Sequence, residues 1–509
     1  MPRQRVTRSR AAEPATTPPR ASQPAARPPA AESAEPTGEL IELAVGQVAH
    51  GGSCVARADG RVVFVRHALP GERVLARVTD RGRDRYWRAD AVEILDPSPD
   101  RVTPPCPHAG PPRAAGPGGP AALGSGGLGG CGGCDWQHAT PAAQRRLKAQ
   151  VIAEALRRQG GLAAHVAEPP DATPTEVAPA GAISARHGSA GDGSAGDAAS
   201  LAIAVEGVPG AGLDDGLGWR TRMRFAVTAT GQVGLRAHRS HQVVATPDCR
   251  IAHPLVVDAV ATRRFPGAES VEVAASVSAG EVSVRPGGQP DAPAAGEPAG
   301  RALAERVRGR DFQVDAAAFW QVHPAAAGTL VDAVLMALAP RPGERALDLY
   351  SGAGLFAAFL AEAVGPDGEV IALESDASAV ASAARSLADL PWVSVRPVRV
   401  TARTVRGAVG GSPTAASPSV ASSMAAGSER AVDIAVLDPP RTGAGADVLA
   451  ALLELRPRAV AYVACDPVAL GRDLAVAASC GYRVTDVRGF DLFPMTAHVE
   501  CVARLVPVS

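Results

Sequence analysis

The chain has 509 residues, of which 46% are hydrophobic and 20% charged, which is enough apolar material for several folded domains. Its 51 lysine and arginine residues nearly balance its 52 aspartate and glutamate residues, so no overall positive charge indicates a nucleic-acid partner. No apolar run of about 18 residues predicts a transmembrane helix, and the N-terminal residues lack the apolar segment of a secretory signal. Eight cysteines are too few for a disulfide scaffold, so we expect a reducing, cytoplasmic setting and no membrane partner.

The first 96 residues contain two different segments. Residues 1–37 are rich in proline, alanine and arginine and cannot form a core, so we predict a disordered tail. Residues 38–96 hold short β-rich runs separated by turn pairs such as Asp59-Gly60 and Pro70-Gly71. This spacing predicts a small antiparallel β-barrel, and its many arginines indicate a basic face that could bind nucleic acid.

At about residue 310 the sequence changes from a β-rich pattern to an alternation of strands and helices. We expect residues 97–310 to form a central β-rich domain, with a helix over 141–159 and low-complexity inserts at 172–200 and 286–300. Residues 311–509 alternate apolar strands with helices, interrupted by another such insert at 404–430. That alternation is typical of a Rossmann-like α/β domain with a parallel sheet.

A glycine turn marks a ligand site in the C-terminal domain. The apolar strand 345–350 runs into the turn 351–354, and the next strand ends on Glu374. Glycines let the backbone approach a ligand, and an acid at the tip of the second strand can hold both hydroxyls of a ribose. The third glycine of the dinucleotide motif is missing, and Asp348 lies inside the first strand. This pattern favours S-adenosylmethionine over NAD.

Two later strands end in residues suited to chemistry. One runs into Asp438 of the sequence Asp-Pro-Pro-Arg, and the other into Cys465, which precedes Asp-Pro. Ligands of open α/β sheets bind at the carboxyl ends of strands, so both side chains are expected to face the cleft. A cysteine in that position favours a nucleophile over a core residue. His498 and Glu500 stand just before the last strand.

With these motifs the sequence closely resembles the RNA uridine C5-methyltransferases, which make 5-methyluridine in transfer and ribosomal RNA. "YVACDP" matches the family's catalytic cysteine motif at Cys465, and "FPMTAHVE" matches the motif of its base at Glu500, with Met495 where the family often has histidine. "FWQVHP" matches the motif of a cofactor-contacting glutamine. The resemblance therefore implies four cofactor-binding residues: Gln321, Tyr350, Glu374 and Asp438.

The resemblance also implies a class I methyltransferase domain behind a TRAM barrel, with S-adenosylmethionine as cofactor and RNA as partner; we expect a monomer. The chemistry explains the residue types. A thiolate that adds to C6 of uracil turns C5 into a nucleophile for the methyl group, and a base must then remove the C5 proton. The target base has to be flipped or single-stranded.

Four further cysteines form a second group: Cys106, Cys131, Cys134 and Cys249. Some members of the family bind a [4Fe–4S] cluster through four cysteines in these contexts, so the resemblance implies such a cluster here. In this chain 24 residues separate the first two cysteines, and this Gly- and Pro-rich insert can loop out. Zinc on the same thiolates is the alternative. Beside them, Arg220, Arg222 and Arg224 alternate along a predicted strand and could grip phosphates together.

The pairing of barrel and cluster in the rRNA-type members favours ribosomal RNA over transfer RNA as substrate. Two other functions are open to the same motifs. Asp-Pro-Pro-Arg resembles the loop of amino-group methyltransferases, although that function leaves Cys465 and Glu500 without roles. A non-catalytic RNA-binding protein that uses the barrel and cluster is the other alternative, and the presence of both residues argues against it.

Overall fold

The computed structural model describes residues 38–82, 85–111, 130–167, 200–208, 216–288, 301–408 and 431–508. The predicted disordered tail, residues 1–37, lies outside the described residues, as does most of each low-complexity insert. Within the described ranges, no helix is long and apolar enough to cross a membrane.

The N-terminal unit is a closed five-stranded barrel. Its strands are β1 (Leu40–Val48), β2 (Cys54–Ala58), β3 (Arg61–Arg66), β4 (Arg73–Asp80) and β5 (Tyr86–Asp96). They pair in the order β1-β2-β3-β5-β4 around an interior of alternate residues such as Val63 and Val65. The predicted barrel is confirmed, but a fully antiparallel one is wrong. β3 and β5 run parallel, because β4 lies between them in the chain and pairs on the other side of β5.

The middle of the chain begins with the predicted long helix, α1 (Pro141–Gly160). Its N-cap Thr140 accepts a hydrogen bond from the N–H of Ala143, and Gly161 ends it with a φ of 62°. Three short strands follow: β6 (Ala164–Val166), β7 (Leu201–Ile203) and β8 (Val205–Gly207).

A five-stranded antiparallel sheet comes next, in the order β11-β10-β9-β12-β13. Its elements are β9 (Arg222–Val227), β10 (Val233–Arg236), β11 (Val243–Ala245), α2 (Pro254–Val260), β12 (Ser270–Ser276) and β13 (Glu281–Gly287). The hairpin of β14 (Ala302–Val307) and β15 (Arg310–Asp315) then leads to the C-terminal domain, so the boundary drawn at residue 310 falls within this hairpin.

The C-terminal domain is built on an eight-stranded sheet. Its elements are α3 (Ala326–Leu338), β16 (Arg345–Leu349), α4 (Leu355–Val364), β17 (Glu369–Glu374), α5 (Ala377–Ser386), β18 (Val393–Pro397), α6 (Ala402–Gly407), β19 (Ile434–Leu437), α7 (Ala446–Glu454), β20 (Ala459–Ala464), α8 (Pro467–Ser479), β21 (Tyr482–Asp491) and β22 (Glu500–Pro507). The strand order is β18-β17-β16-β19-β20-β22-β21-β8, parallel from β18 to β20. The Rossmann-like architecture is confirmed.

The central strands β16, β19 and β20 are buried along their whole length, because helices cover both faces of the sheet. From β16 the sheet grows outward to β17 on one side and to β19 on the other. The loops after β16 and β19 leave the sheet at this reversal of strand order, and open α/β sheets bind their ligands at such a point, at the carboxyl ends of the strands.

Candidate active site

The predicted strand-end residues meet at one edge of the main sheet. Asp348 lies in β16, Glu374 ends β17, Asp438 follows β19 and Cys465 follows β20. These strands run parallel, so their carboxyl ends share this edge. The N–H of Asp438 donates to the carbonyl of Leu349 at 3.2 Å, which ties the loop after β19 to the end of β16.

Strand register brings Cys465 and Glu500 side by side. β20 and β22 are antiparallel, with Ala464 opposite Cys501. Cys465 follows Ala464 and Glu500 precedes Cys501, so the two residues come close together where the ladder ends, and the charge of Glu500 acts on the Cys465 thiol. Cys465 is half-buried and Glu500 is buried, which leaves the thiol accessible and encloses the carboxyl group.

The site is acidic and poorly solvated. Burial raises the pKa of Asp438 to about 7. Burial, with Asp438 beside it, raises the pKa of Glu500 well above its ordinary value. Burial also raises the pKa of the Cys465 thiol to about 12, and Glu500 and Asp438 add to this effect. Without a ligand the site therefore favours neutral forms, and a bound cation would favour the ionised ones.

Arg441 supplies positive charge to this acidic site. It opposes the rise in the pKa values of Cys465 and Glu500. Its loop is anchored by a buried pair, in which the Tyr462 hydroxyl donates to Asp473 at 2.5 Å and Asp473 accepts from the N–H of Ala444 at 2.8 Å. Sequence patterns assigned Arg441 no role, although its place in Asp-Pro-Pro-Arg marks it. Nothing in the sequence marks Asp473.

The glycine turn after β16 forms an open cradle. Tyr350, Gly352 and Gly354 have φ angles of 63°, 55° and 86°, and a Cβ at Gly352 would meet nothing within 4 Å. Glu374 closes one side, since its carboxylate accepts hydrogen bonds from the N–H of Gly352 at 2.9 Å and of Asp376 at 2.7 Å.

Asp348 lies fully buried beneath this turn. Its two carboxylate oxygens have no hydrogen-bond partner of good geometry within the described residues, although the N–H of Ala357 lies close enough to oppose the rise in its pKa. Burial raises the pKa of Asp348, with further contributions from Asp438 and Glu374. A buried acid without a strong partner, next to an open turn and a rim carboxylate, fits a ligand that has a cationic centre and a ribose. These residues therefore fit S-adenosylmethionine.

The other two predicted cofactor residues have different surroundings. Tyr350 packs against the core beside the sheet, and its N–H donates to the carbonyl of Leu373 at 3.0 Å. Gln321 is half-buried in the segment between β15 and α3. Its neighbour Val322 is held in place, because the Val322 carbonyl accepts hydrogen bonds from both the N–H and the hydroxyl of Thr221.

The turn that carries Cys465 is held mainly by its own domain. Asp466 caps α8, because its Oδ1 accepts hydrogen bonds from the N–H groups of Val468 and Ala469, both at 2.9 Å. Its Oδ2 lies 3.3 Å from Nε2 of His50, a residue of the barrel loop between β1 and β2. The sequence offered no signal for this contact.

The loop that leads to Glu500, residues 492–499, is held by the middle of the chain. The N–H of Met495 donates to the side chain of Gln144 at 2.8 Å, and the N–H of Ala497 donates to Asp135 at 3.1 Å. Lys148 is fully buried and pairs with Asp491 at 2.5 Å, just before the loop. Met495 has a φ of 68° and is buried, so it serves the shape of this loop.

The four predicted ligand cysteines lie near one another. Burial raises the pKa of Cys131 to about 11, with smaller contributions in the same direction from Cys249 and Cys106. Burial and the other three thiols raise the pKa of Cys134. Four thiols from distant segments suit a soft metal in their chemistry. However, no three His, Cys, Asp or Glu side chains of the described ranges are arranged to hold a metal ion. The ligand set therefore stays a prediction.

The three arginines next to these cysteines do not share one open face, so that expectation is wrong. Arg222 turns inward, with 11% of its side chain exposed, and donates to the carbonyl of Ala318 at 2.8 Å. Arg220 is half-buried, and its Nε donates to the carbonyl of Arg222. Of the three, Arg224 alone is exposed, and it lies 3.8 Å from Glu272 on the neighbouring strand.

A Rossmann-like sheet with an acidic cradle for a sulfonium cofactor, and with a cysteine beside a carboxyl group, defines an S-adenosylmethionine-dependent methyltransferase. The comparisons with known proteins give the family. The family described as tRNA (Uracil-5-)-methyltransferase matches residues 304–506, and the TRAM domain matches residues 36–92. A protein of Streptomyces avermitilis named "Uncharacterized RNA methyltransferase" is 43% identical, over 93% of this chain and 99% of its own.

A 23S rRNA (uracil(1939)-C(5))-methyltransferase RlmD of Alkalilimnicola ehrlichii is 29% identical, over 91% of this chain and 96% of its own. The crystal structure of the tRNA (uracil-54, C5)-methyltransferase of Pyrococcus abyssi with S-adenosyl-L-homocysteine shares the fold, with a TM-score of 0.56 and 19% identity over 91% of this chain and 99% of that one. The chain belongs to the RNA (uracil-5-)-methyltransferase family and is an S-adenosylmethionine-dependent RNA methyltransferase.

Proposed function

We propose that this protein methylates C5 of a uridine in ribosomal RNA through a covalent adduct with Cys465. The observation that carries the proposal is the register of β20 and β22, which sets Ala464 opposite Cys501 and so brings the next residues, Cys465 and Glu500, close together at the carboxyl edge of the sheet. An amino-group methyltransferase or a non-catalytic RNA-binding protein would need neither residue there.

In this mechanism the Cys465 thiolate bonds to C6 of the flipped uracil, and the ring electrons move onto C5 and the O4 carbonyl. When bound, S-adenosylmethionine would supply an electrophilic methyl group, with the neutral thioether S-adenosylhomocysteine as the leaving group, and its positive charge would favour the ionised forms of the nearby acids. C5 takes the methyl group while still carrying its proton. Glu500 then removes that proton, the C6–S bond breaks, and Cys465 leaves as the thiolate.

The surrounding side chains have defined parts in this scheme. Asp438 lines the pocket beside the cofactor, and Arg441 favours the thiolate of Cys465 electrostatically. Glu374 would hold the ribose hydroxyls, with Gln321 and Tyr350 as the other cofactor contacts. The high pKa of Glu500 suits a proton acceptor, because a carboxylate that is costly to ionise binds a proton strongly.

The choice of ribosomal RNA rests on the RlmD relative, which matches nearly the full length of both chains. The TRAM barrel is consistent with an RNA partner. The structural likeness to the tRNA enzyme shows the fold alone.

The test is to incubate the protein and S-adenosylmethionine with 5-fluorouridine RNA. Fluorine cannot leave as a proton, so the adduct should persist through denaturing electrophoresis. We expect it with fragments of 23S rRNA and not with tRNA. Loss of one 5-methyluridine from the rRNA of a strain that lacks the gene would support the same assignment. An unchanged rRNA map with a lost tRNA site would overturn the choice of substrate.

We also propose that Cys106, Cys131, Cys134 and Cys249 close around one [4Fe–4S] cluster with a structural role. The proximity of the thiols supports it, and a cluster would offset the entropy of closing the long segment between Cys134 and Cys249. Anaerobically purified protein should be brown and contain about four irons per chain. Stoichiometric zinc without iron would overturn the cluster. Metal content unchanged by Cys131→Ser would overturn the ligand set.

A further inference from the structure

The barrel loop between β1 and β2 is seated directly on the catalytic domain. The carbonyl of Gly52 accepts a hydrogen bond from Nε1 of Trp136 at 2.9 Å. Gly52 has a φ of 85°, and a Cβ there would come within 2.7 Å of the Cβ of Ala497. No side chain can occupy this position, so the loop rests with bare backbone against the loop that leads to Glu500.

This contact between the loops places His50 next to the turn that carries Cys465. Its Nε2 lies 3.3 Å from Oδ2 of Asp466, the residue that follows Cys465. Half of the His50 side chain is exposed, against 23% of that of Asp466, so the contact lies at the mouth of the site. The other oxygen of Asp466 caps α8, so one carboxylate joins the barrel, the nucleophile turn and the helix.

We propose that His50 is a positioning residue for methyl transfer. From the barrel it holds the Cys465–Asp466 turn in place, so the position of the barrel affects the orientation of the Cys465 thiol. This inference rests on the proposed function, because it assigns His50 its effect through Cys465. The mechanism above gives His50 no role, and His50 touches no reacting atom.

The charges around His50 determine how its effect varies with pH. The hydrogen bond to Asp466 raises the pKa of His50 above its ordinary value, while burial and Arg441 oppose the rise. Burial favours a higher pKa for Asp466, but the hydrogen bond to His50 helps to bring the pKa below its ordinary value. The protonated imidazole is present below its raised pKa and is lost as the pH rises through it. The charge-assisted form of the contact should therefore act in acidic to neutral solution and weaken in alkaline solution.

The experiment measures the rate of adduct formation with 5-fluorouridine RNA in a single turnover, at saturating RNA, from about pH 6 to about pH 9. We expect His50→Gln to slow the adduct about threefold to fivefold at the acidic end, in keeping with a partly exposed ion pair, and to have little effect at the alkaline end. RNA affinity should change by less than about twofold. His241→Gln, a change at an exposed histidine of the central unit, is the matched control and should behave as the wild type.

Asp466→Asn is the reciprocal variant, because asparagine still caps a helix but carries no charge. The double variant should be no slower than the slower single one, as expected for two changes to one contact. A weaker RNA affinity with an unchanged adduct rate would make His50 an RNA contact and overturn the inference. So would identical pH profiles of His50→Gln and the wild type. Absence of any adduct in the wild type would instead overturn the proposed function.

Discussion

The two halves of the active site are supported in different ways. The Cys465 turn follows a buried strand and precedes a capped helix of the same domain, and one barrel residue touches it from outside. The Glu500 loop is bonded to Asp135 and Gln144 and lies next to the buried Lys148–Asp491 pair, so it takes its shape from the middle of the chain. The proposed nucleophile thus belongs to the methyltransferase fold, whereas the proposed proton acceptor depends on other parts of the molecule.

This difference indicates how the other units can serve the reaction without touching uracil. Asp135 directly follows Cys134, and its backbone N–H also donates to the carbonyl of Met495 at 3.0 Å. The cysteine segment is therefore one residue away from contacts that shape the Glu500 loop. Proton removal should be the step most sensitive to damage outside the C-terminal domain.

The largest expected effect comes from removal of the Cys465 thiol, which lies in the half of the site that is held mainly by the C-terminal domain. Cys465→Ala should abolish the adduct with 5-fluorouridine RNA, because no other thiol faces Glu500 in the register of β20 and β22. Denaturing gels measure this directly. Cys480→Ala, at the far end of α8, is the control and should keep the adduct. Adduct formation by Cys465→Ala would show that another residue is the nucleophile.

Removal of the Glu500 carboxylate should block a later step of the reaction, the loss of the C5 proton. Glu500→Gln should form the C6 adduct and transfer the methyl group, then release product at least about 100-fold more slowly, as expected when a general base is lost. On ordinary uridine RNA the methylated covalent complex should accumulate, and mass spectrometry of the trapped protein would detect it. Turnover near the wild-type rate would exclude Glu500 as the base.

Loss of the buried ion pair next to the Glu500 loop should affect the two halves of the site differently. Lys148→Met leaves the buried Asp491 without its partner and should lower the free energy of unfolding by about 3–5 kcal/mol. Urea unfolding measures the loss. Arg146→Met on the same helix breaks an exposed pair with Asp100 and should cost about 1 kcal/mol or less.

In folded Lys148→Met protein, product release should slow more than adduct formation. Equal slowing of both steps would show that the two halves share one support.

The smallest of these effects is expected at Glu374, which lies outside both halves of the site. Glu374→Ala should weaken the binding of S-adenosylmethionine by about one to two decades, because a charged hydrogen bond to ribose is worth about 1.5–3 kcal/mol. Calorimetry measures the affinity, and Asp367→Ala in the exposed turn before β17 is the control. Unchanged affinity would rule out this role of Glu374. Adduct formation at saturating cofactor should remain near normal.

The features that the sequence predicted well are local or repeat along the chain. Strand ends such as those before Asp438 and Cys465 could be located because buried parallel strands are apolar runs that stop abruptly. The parallel pairing of β3 with β5 could not be predicted, because short strands of a barrel do not encode their neighbours. The contact of His50 with Asp466 joins residues far apart in the chain, and no local pattern reports such a pair.

The arginines near Cys249 show the limit of arguments from alternation. Alternate residues of a strand do share a face, but Arg222 lies on the face that packs under the segment of Ala316 and Ala318. The pattern predicts the face correctly and cannot show what covers it.

Lys148 is the only lysine in the sequence, and on α1 it is buried against the end of β21. Reagents that acylate side-chain amines therefore have a single target, which reacts only when this interface opens. The rate at which Lys148 is acylated therefore reports how often the Glu500 loop opens. RNA or cofactor that closes the site should slow this labelling, and damage to the cysteine segment should speed it up.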